Sequence, residues 1–529
     1  MLSPRRDRDH PIITRGSVAR ATRRELLGLT ALGILAAGTK PARAADGQLV
    51  YGSHISLAPT WFDPAETSGI VTPFMLLYAL HDGLVKPMPG NPAEPCLAES
   101  YTASADGLSH SFVLRAGVTF HNGAPVTAED VKFSFERYRG NAAGFIKEKV
   151  AAVETPDPRR VIFRLHKPWA DFLLYYSSVT GAGWIVPKKY VESVGEDGFK
   201  KEPVGAGPYK FATFTPGVEL VMEAFEGYWR KAPSVKKLVW KVIPDETTRL
   251  AALKRGEVDL AYSIRGELAE ELRRTPGLEL RPVVINSPFW IYFADQWDPK
   301  SPWHDARVRK AVTLALDRDG INQALTLGHS LLTGSIVPKD YEFYWQPPKI
   351  PYDQATARRL LAEAGFRGGF DAGDYYCDAS YANLGEAAMN SLEEVGIRVK
   401  LRPIERAAFN KGYAEKKYRN IIQGGSGAFG NAATRMETFV VKGGAYVYGS
   451  YPDIDELFAQ QAVETDHAKR VPILHRMQQL VHERTVYAPL WQLAFLNGQG
   501  PRVGESAFGL ISGHPYSAPY EDLTLKGKA

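Results

Sequence analysis

Apolar side chains recur at every second residue in some stretches of this 529-residue chain and at every third or fourth in others, and the two kinds of stretch take turns. This alternation constrains the fold more than any single motif. A period of two makes a half-buried strand, a period of 3.6 makes a one-sided helix, and neither can hide its apolar face except by layering on the other. The segment "QLVYGSHISLAPTWFDPAETSG" opens as a strand and breaks at Pro59 and Pro64; "SFVLRAGVTF" and "RVIFRLHKP" also alternate. Between those two lies "VTAEDVKFSFERY", where Thr127 and Asp130 have capping-box spacing and Val131, Phe135 and Tyr138 share a helical face. Further on, "LVWKVIP" and "VDLAYSI" read as strands on either side of a helix capped at Asp245 or Thr247 and stopped at Gly256. "DARVRKAVTLALDRDGI" reads as one helix with the stripe Val308, Ala311, Val312, Ala315 and Leu316. "YDQATARRLLAEAGF" reads as a helix from the Asp353 cap to the Gly365 stop. "IRVKLRPI" is a strand, and the helix "PILHRMQQLVHERT" precedes the strand "YAPLWQLAFLN". The expected class is α/β, in two or three subdomains, because one core does not serve so long a chain.

The first 44 residues behave differently. They carry nine Lys/Arg against three Asp/Glu, a net of +6, whereas the whole chain is +5; the remainder is therefore near −1, and nothing in its charge argues for nucleic acid. A basic region ending in "TRRELLG", a short apolar run from Leu26 to Ala37, and "PARA", with Ala42 and Ala44 at −3 and −1, form a cleavable export signal of twin-arginine type. The run is too short to span a bilayer. The mature protein is expected in the periplasm. Cys96 and Cys377, 281 positions apart, read as two separately buried thiols, although an oxidising compartment would also permit a disulfide.

Reaction machinery is hard to find. The 12 histidines are scattered, there is no HExxH or CxxC, and His475 and His482 are seven apart, on one face but not on one chelating turn. In "GGSGAFG" Ala428 stands where a nucleophile elbow needs its last glycine, and neither this loop nor "GAGPY" continues into Lys-Ser/Thr. Pro208 has no N–H to offer a phosphate. Paired carboxylates such as Glu393–Glu394 lie on a polar helical face. No metal, cofactor or catalytic residue is expected. The remaining classes are a binding protein and, as the alternative, an exported hydrolase whose groups converge only in space.

Six ordered strings then carry a resemblance. "FDPAET", "FHNGAPVTAEDVKFSFER", "VGAGPYKF", "LKRGEVDLA", "DARVRKAVTLALDRDGI" and "YDQATARRLLAEAGF" resemble, in order between residues 60 and 365, the conserved strings of the peptide/nickel (dipeptide/oligopeptide, family 5) solute-binding proteins of ABC importers. The resemblance implies a two-lobed periplasmic-binding-protein-like (type II) fold with an extra subdomain inserted in the first lobe. The first lobe would comprise 45–80, 203–284 and a C-terminal return, 488–529, with 81–202 inserted; the second would be 285–487. It also implies a monomer without enzymatic activity that closes on a small molecule or short peptide and delivers it to ABC permease subunits. Its early contact segment falls at Thr67, Ser68 and Gly69. Aromatic walls are expected from Trp290, Tyr292, Trp297 and Trp491, and Arg435 can neutralise a ligand carboxylate.

Peptide-binding members of that family place an acid in a W-x-x-D-Y-x-D-P-like stretch of the second lobe. Here the slot falls in "IIQGGSGAFGNAAT", and from Lys416 to Met436 there is no Asp or Glu. A buried ammonium needs a charged partner, so the gap points to a modified, N-blocked or anionic solute, an opine-like or sugar-containing conjugate, or a nickel or other metal chelate. Within the loop Ser426, Phe429 and Asn431 are the expected contacts, and the glycines are expected to bring backbone close to the ligand.

Overall fold

In the computed structural model the alternation resolves into one mixed sheet of eleven strands, a separate antiparallel sheet of four, and three two-stranded ribbons, counted among the described residues. The structure describes residues 47–67, 72–140, 142–176, 181–426, 430–511 and 514–527. The export signal read on residues 1–44, and Ser68, Gly69 and Phe429, lie outside these.

Ten strands of the large sheet follow one another in the order Tyr209–Thr215, Glu219–Ala224, Lys237–Val242, Gln48–Ser53, Leu260–Ala261, Tyr487–Gln499, Glu279–Phe293, Ile421–Gly425, Phe370–Asp378 and Ile397–Ile404, and Leu331–Leu332 adds to Tyr487–Gln499 off that path. Near one end Gln48–Ser53 runs parallel to both its neighbours. At the other end Phe370–Asp378 does the same. Between them Glu279–Phe293 and Tyr487–Gln499 pair antiparallel. They are 15 and 13 residues long, about twice the usual strand, and every residue of Tyr487–Gln499 is buried. Their register slips between Val284 and Pro288 and again before Trp290, opposite Gln492 and Pro489, where two prolines have no ladder N–H to give. The expected boundary at 284/285 thus falls inside a continuous strand, at its irregular point.

The four-stranded sheet runs Ala98–Ala103, Ser109–Leu114, Arg160–Leu165, Val150–Asp157. His110, Phe112 and Leu114 point inward from one strand, Val161, Phe163 and Leu165 from its neighbour. The apolar ones among them meet Val131 and Phe135 of the helix Ala128–Arg137, whose capping box at Thr127 and Asp130 is present as the spacing demands. This apolar cluster draws its buried members only from residues 84–206, and another only from residues 290–487.

Five of the six strings turn out to fasten these parts together. Asp63 of "FDPAET" accepts the Ala65 N–H at 2.9 Å and takes both Nη atoms of Arg137, from "FSFER", at 2.8 Å each. His121 of "FHNG" meets the Gly207 carbonyl at 2.9 Å and accepts the Gly205 N–H at 3.2 Å. A Cβ on Gly205 would lie 1.9 Å from the Leu80 carbonyl oxygen, which is why "VGAGPY" needs glycine there. Asp259 of "GEVD" accepts the Val50 N–H at 2.9 Å.

Two expected helices differ in extent. "DARVRKAVTLALDRDGI" is two helices, Ala306–Ala315 and Arg318–Thr326, with Leu316 extended between them. Asp317 breaks the run by capping the second helix through the Gly320 N–H at 2.9 Å. Arg318, 5% exposed, turns inward and donates to the carbonyls of Thr313 and Leu316, at the end of the first helix, and of Pro489 on the crossing strand at 2.8 Å. Burial lowers its guanidinium pKa to about 10. The last long helix starts at His467, not Pro472, because Asp466 caps it through the Ala468 N–H and Pro472 is accommodated inside. Cys96 and Cys377 are both free and buried.

Because Arg318 satisfies three carbonyls at the junction with the crossing strand, Arg318→Ala should cost roughly 3 kcal/mol of stability, read as a lowered urea midpoint. Arg318→Lys should recover only part, since an ammonium lacks the fork that reaches all three.

Candidate functional site

The strand Ile421–Gly425 is the inner neighbour of Glu279–Phe293, and its glycines are set by that pairing. Gly424 lies opposite Trp290 and Gly425 opposite Phe289. A Cβ on Gly424 would come within 2.6 Å of Trp290 Nε1, and one on Gly425 within 2.9 Å of the Phe289 ring. The glycines at these two positions therefore make room for rings from the adjacent strand.

Beside this strand lies a partly open cavity of about 70 Å³. The crossing pair lines it through Ser287, Phe289 and Phe495, together with Thr72, Tyr381, Phe409, Tyr413, Tyr446 and Tyr516. Gln423 and Ser426 add neutral polar groups. Among the described residues two charged side chains line it, Asp378 and Arg406. Asp378 ends the strand Phe370–Asp378, in register with Ile404, so the helix Arg406–Ala414 that follows begins beside it. Arg406 Nη1 donates to Asp378 Oδ2 at 2.5 Å and Nε donates to Thr72 Oγ1 at 2.8 Å. Burial pulls the Arg406 pKa down, but the Asp378 carboxylate and the Tyr381 and Tyr516 hydroxyls more than reverse this and leave it raised. Behind the wall His54 packs on Tyr516 and Tyr381 and is held neutral, by burial first and then by the charges of Arg249, Arg265 and Arg406.

A second set of contacts lies at the far end of the glycine loop. Asn431 caps the helix Ala432–Phe439 and donates from Nδ2 to Asp171 Oδ1 at 2.8 Å; Arg470 Nη2 donates to Asp171 Oδ2 at 2.6 Å. Tyr175 donates its hydroxyl to Glu437 Oε2 at 2.9 Å. Burial raises the Glu437 carboxyl to about 7, against smaller opposing effects from Tyr175, Thr438 and Lys149. Gly430 and Asn431 also border a hollow of about 420 Å³ that reaches the hairpin at Pro87 to Pro92.

Of the residues expected from sequence, Ser426 lines the cavity, and its N–H donates to the Pro288 carbonyl at 3.1 Å. Asn431 and Thr67 are buried; Thr67 bonds to the Pro64 carbonyl. Trp290, Tyr292 and Trp491 are at most 1% exposed and packed in apolar clusters. Trp297 donates from Nε1 to the Tyr292 hydroxyl at 3.1 Å and packs on Tyr451. Arg435 is buried between the Tyr341 and Phe439 rings. The charged pair of the cavity was not anticipated: "CDASY" and "IERAAF" carry no motif, and only the parallel register of two strands brings them together.

A chain with parallel sheet ends joined by two long crossing strands beside a cavity has the mixed α/β fold of type II periplasmic binding proteins. The comparisons bear this out. DppA from Helicobacter pylori, solved with the peptide STSA, superposes with a TM-score of 0.79 at 22% identity, over 91% of this chain and 98% of that one. MoaA from A. tumefaciens R10, solved with mannopinic acid, gives 0.79 at 24%, over 91% and 100%. Residues 93–446 match the family model described as bacterial extracellular solute-binding proteins, family 5. The chain belongs to that family, whose members serve ABC importers. Among curated relatives, the glutathione-binding protein GsiB of Salmonella typhimurium is 29% identical over 350 residues, 64% of this chain and 67% of that protein.

Glu437 gives a pH test. Its pKa is raised from the ordinary 4.5 to about 7, so its contribution to stability is complete below the unfolded value and falls away as pH rises through about 7. Thermal midpoints measured between about pH 5 and pH 8 should show this decline, and Glu437→Gln should flatten it.

Proposed function

We propose that this chain is the extracytoplasmic receptor of an ABC importer, which captures a peptide-like small solute between two lobes and hands it to a membrane permease without chemical change. The lobes are taken as 45–80, 203–284 and 488–529, carrying the inserted 81–202, against 285–487. The apolar cluster within 84–206 supports the inserted part, and another lies wholly within 290–487, while the main cluster runs through both lobes across the crossing strands. The crossing strands are the hinge. Contacts made only when the lobes meet would shift the population to the closed form. Arg406 to Thr72, Tyr175 to Glu437, and Arg470 and Asn431 to Asp171 are such contacts.

The observation that carries this reading is the cavity at the crossing strands, walled by aromatic rings and provided with one ion pair. Aromatic walls with a few placed polar groups suit a small organic solute. A glutathione-like peptide is supported by the kinship to GsiB. A non-peptide, opine-like solute is supported by the absence of acid from Lys416 to Met436 and by the shape match to MoaA; a metal chelate is the parallel case, matched in shape by NikA from Brucella suis with Fe(III)-EDTA.

Mass spectrometry of whatever leaves the purified protein on unfolding, followed by thermal shift with dipeptides, glutathione, mannopinic acid and nickel–histidine, tests the reading. At least one solute should raise the melting temperature and be recovered unaltered. Arg406→Ala should abolish that rise. Failure of every solute to stabilise the protein, or conversion of a bound one, would overturn the receptor assignment.

A further inference from the structure

Among the described residues, charge lining the cavity is confined to one spot. Asp378 and Arg406 are 10% and 15% exposed, both face the cavity, and their charged atoms are 2.5 Å apart. Their remaining hydrogen-bonding capacity is specific. Asp378 Oδ1 accepts the Ser380 N–H at 2.9 Å and Oδ2 accepts from Arg406 Nη1. Nε of Arg406 goes to Thr72, and Nη2 takes part in neither of these bonds. The rest of the described lining is aromatic, glycine, neutral polar, or Pro515. Among the described residues the lining side chains therefore sum to no net charge, yet they present one cation and one anion side by side.

A buried charge must be compensated where it sits. A solute with only a carboxylate would satisfy Arg406 but press against Asp378; one with only an ammonium would do the reverse. A dipeptide carries both, but its termini are separated by whole residues of up to ~3.5 Å each, so it can meet one member of the pair and leave its other terminus among uncharged rings. A group with ammonium and carboxylate on a single carbon completes an alternating square of four charges and leaves the net charge at zero.

Resting on the receptor reading above, we infer that the solute is held by an α-amino-acid head group, its carboxylate on Arg406 and its ammonium on Asp378, with an uncharged remainder along the aromatic walls. Solutes of this class include compounds linked through a side chain, which keep a free α-amino and α-carboxyl pair. The acid absent between Lys416 and Met436 is then supplied from a different element, the end of the strand Phe370–Asp378.

The test is isothermal titration of the full chain with Nδ-benzyl-L-glutamine, its N-acetyl derivative and its α-amide, beside the solute panel used for the receptor assignment. The free head group should bind, and blocking either end should weaken binding by at least about tenfold, as expected for a lost charged hydrogen bond. Asp378→Asn should weaken the free form by a similar factor and leave any residual binding of the N-acetyl form unchanged. Equal binding of a blocked and the free form overturns the head-group inference. So does stabilisation only by panel solutes without an α-amino-acid group, while the receptor assignment stands. No binding by any small solute overturns both.

Discussion

The pairing of Glu279–Phe293 with Tyr487–Gln499 is the constraint on which the rest depends. Each strand alone would be an overlong apolar segment. Paired, they join the parallel ends of the large sheet and line the cavity through Ser287, Phe289 and Phe495. The same pairing fixes the neighbouring chain. Trp290 and Phe289 project over the strand Ile421–Gly425, so two of its positions accept only glycine without a shift of those rings. The slip at Pro288 and Pro489 is where the ladder is weakest. Arg318 braces that point from below by holding the Pro489 carbonyl.

How much of this was legible in the sequence follows from what the motifs do. Five of the six strings are fasteners: Asp63 with Arg137, His121 with Gly205 and Gly207, Asp259 with the Val50 N–H, Arg318 with three carbonyls. Fasteners need particular residues at particular spacings, so the class of fold and the family could be read from them. Most helices were visible too, because caps such as Thr127–Asp130 and Asp353 are local. The break at Leu316 was not, because the capping by Asp317 competes with an apolar stripe that runs on past it.

The cavity was far less legible. Its aromatic walls come from Tyr381, Phe409, Tyr413 and Tyr446, while the tryptophans that stood out in the sequence are mostly core. Composition cannot separate the two roles, since both need a large ring and only the third dimension says what faces the void. Asp378 and Arg406 are 28 positions apart in unremarkable surroundings and meet because Asp378 and Ile404 are register partners. "IIQGGSGAFGNAAT" proves to serve several purposes at once. It supplies ring clearance at Gly424 and Gly425, a lining hydroxyl at Ser426, and a helix cap at Asn431 that also holds Asp171.

The central claim is mechanical: two lobes move about the crossing strands and a solute selects the closed arrangement. Spin labels at Lys189→Cys and Lys469→Cys, both exposed positions, with the two native thiols buried, report the separation of the inserted segment and the second lobe. Pulsed electron–electron distance measurements on the solute-free protein should give a broad distribution extending to long distances. Addition of the solute that stabilises the protein should collapse it to one short, narrow distance. An identical narrow distance with and without that solute would contradict the account.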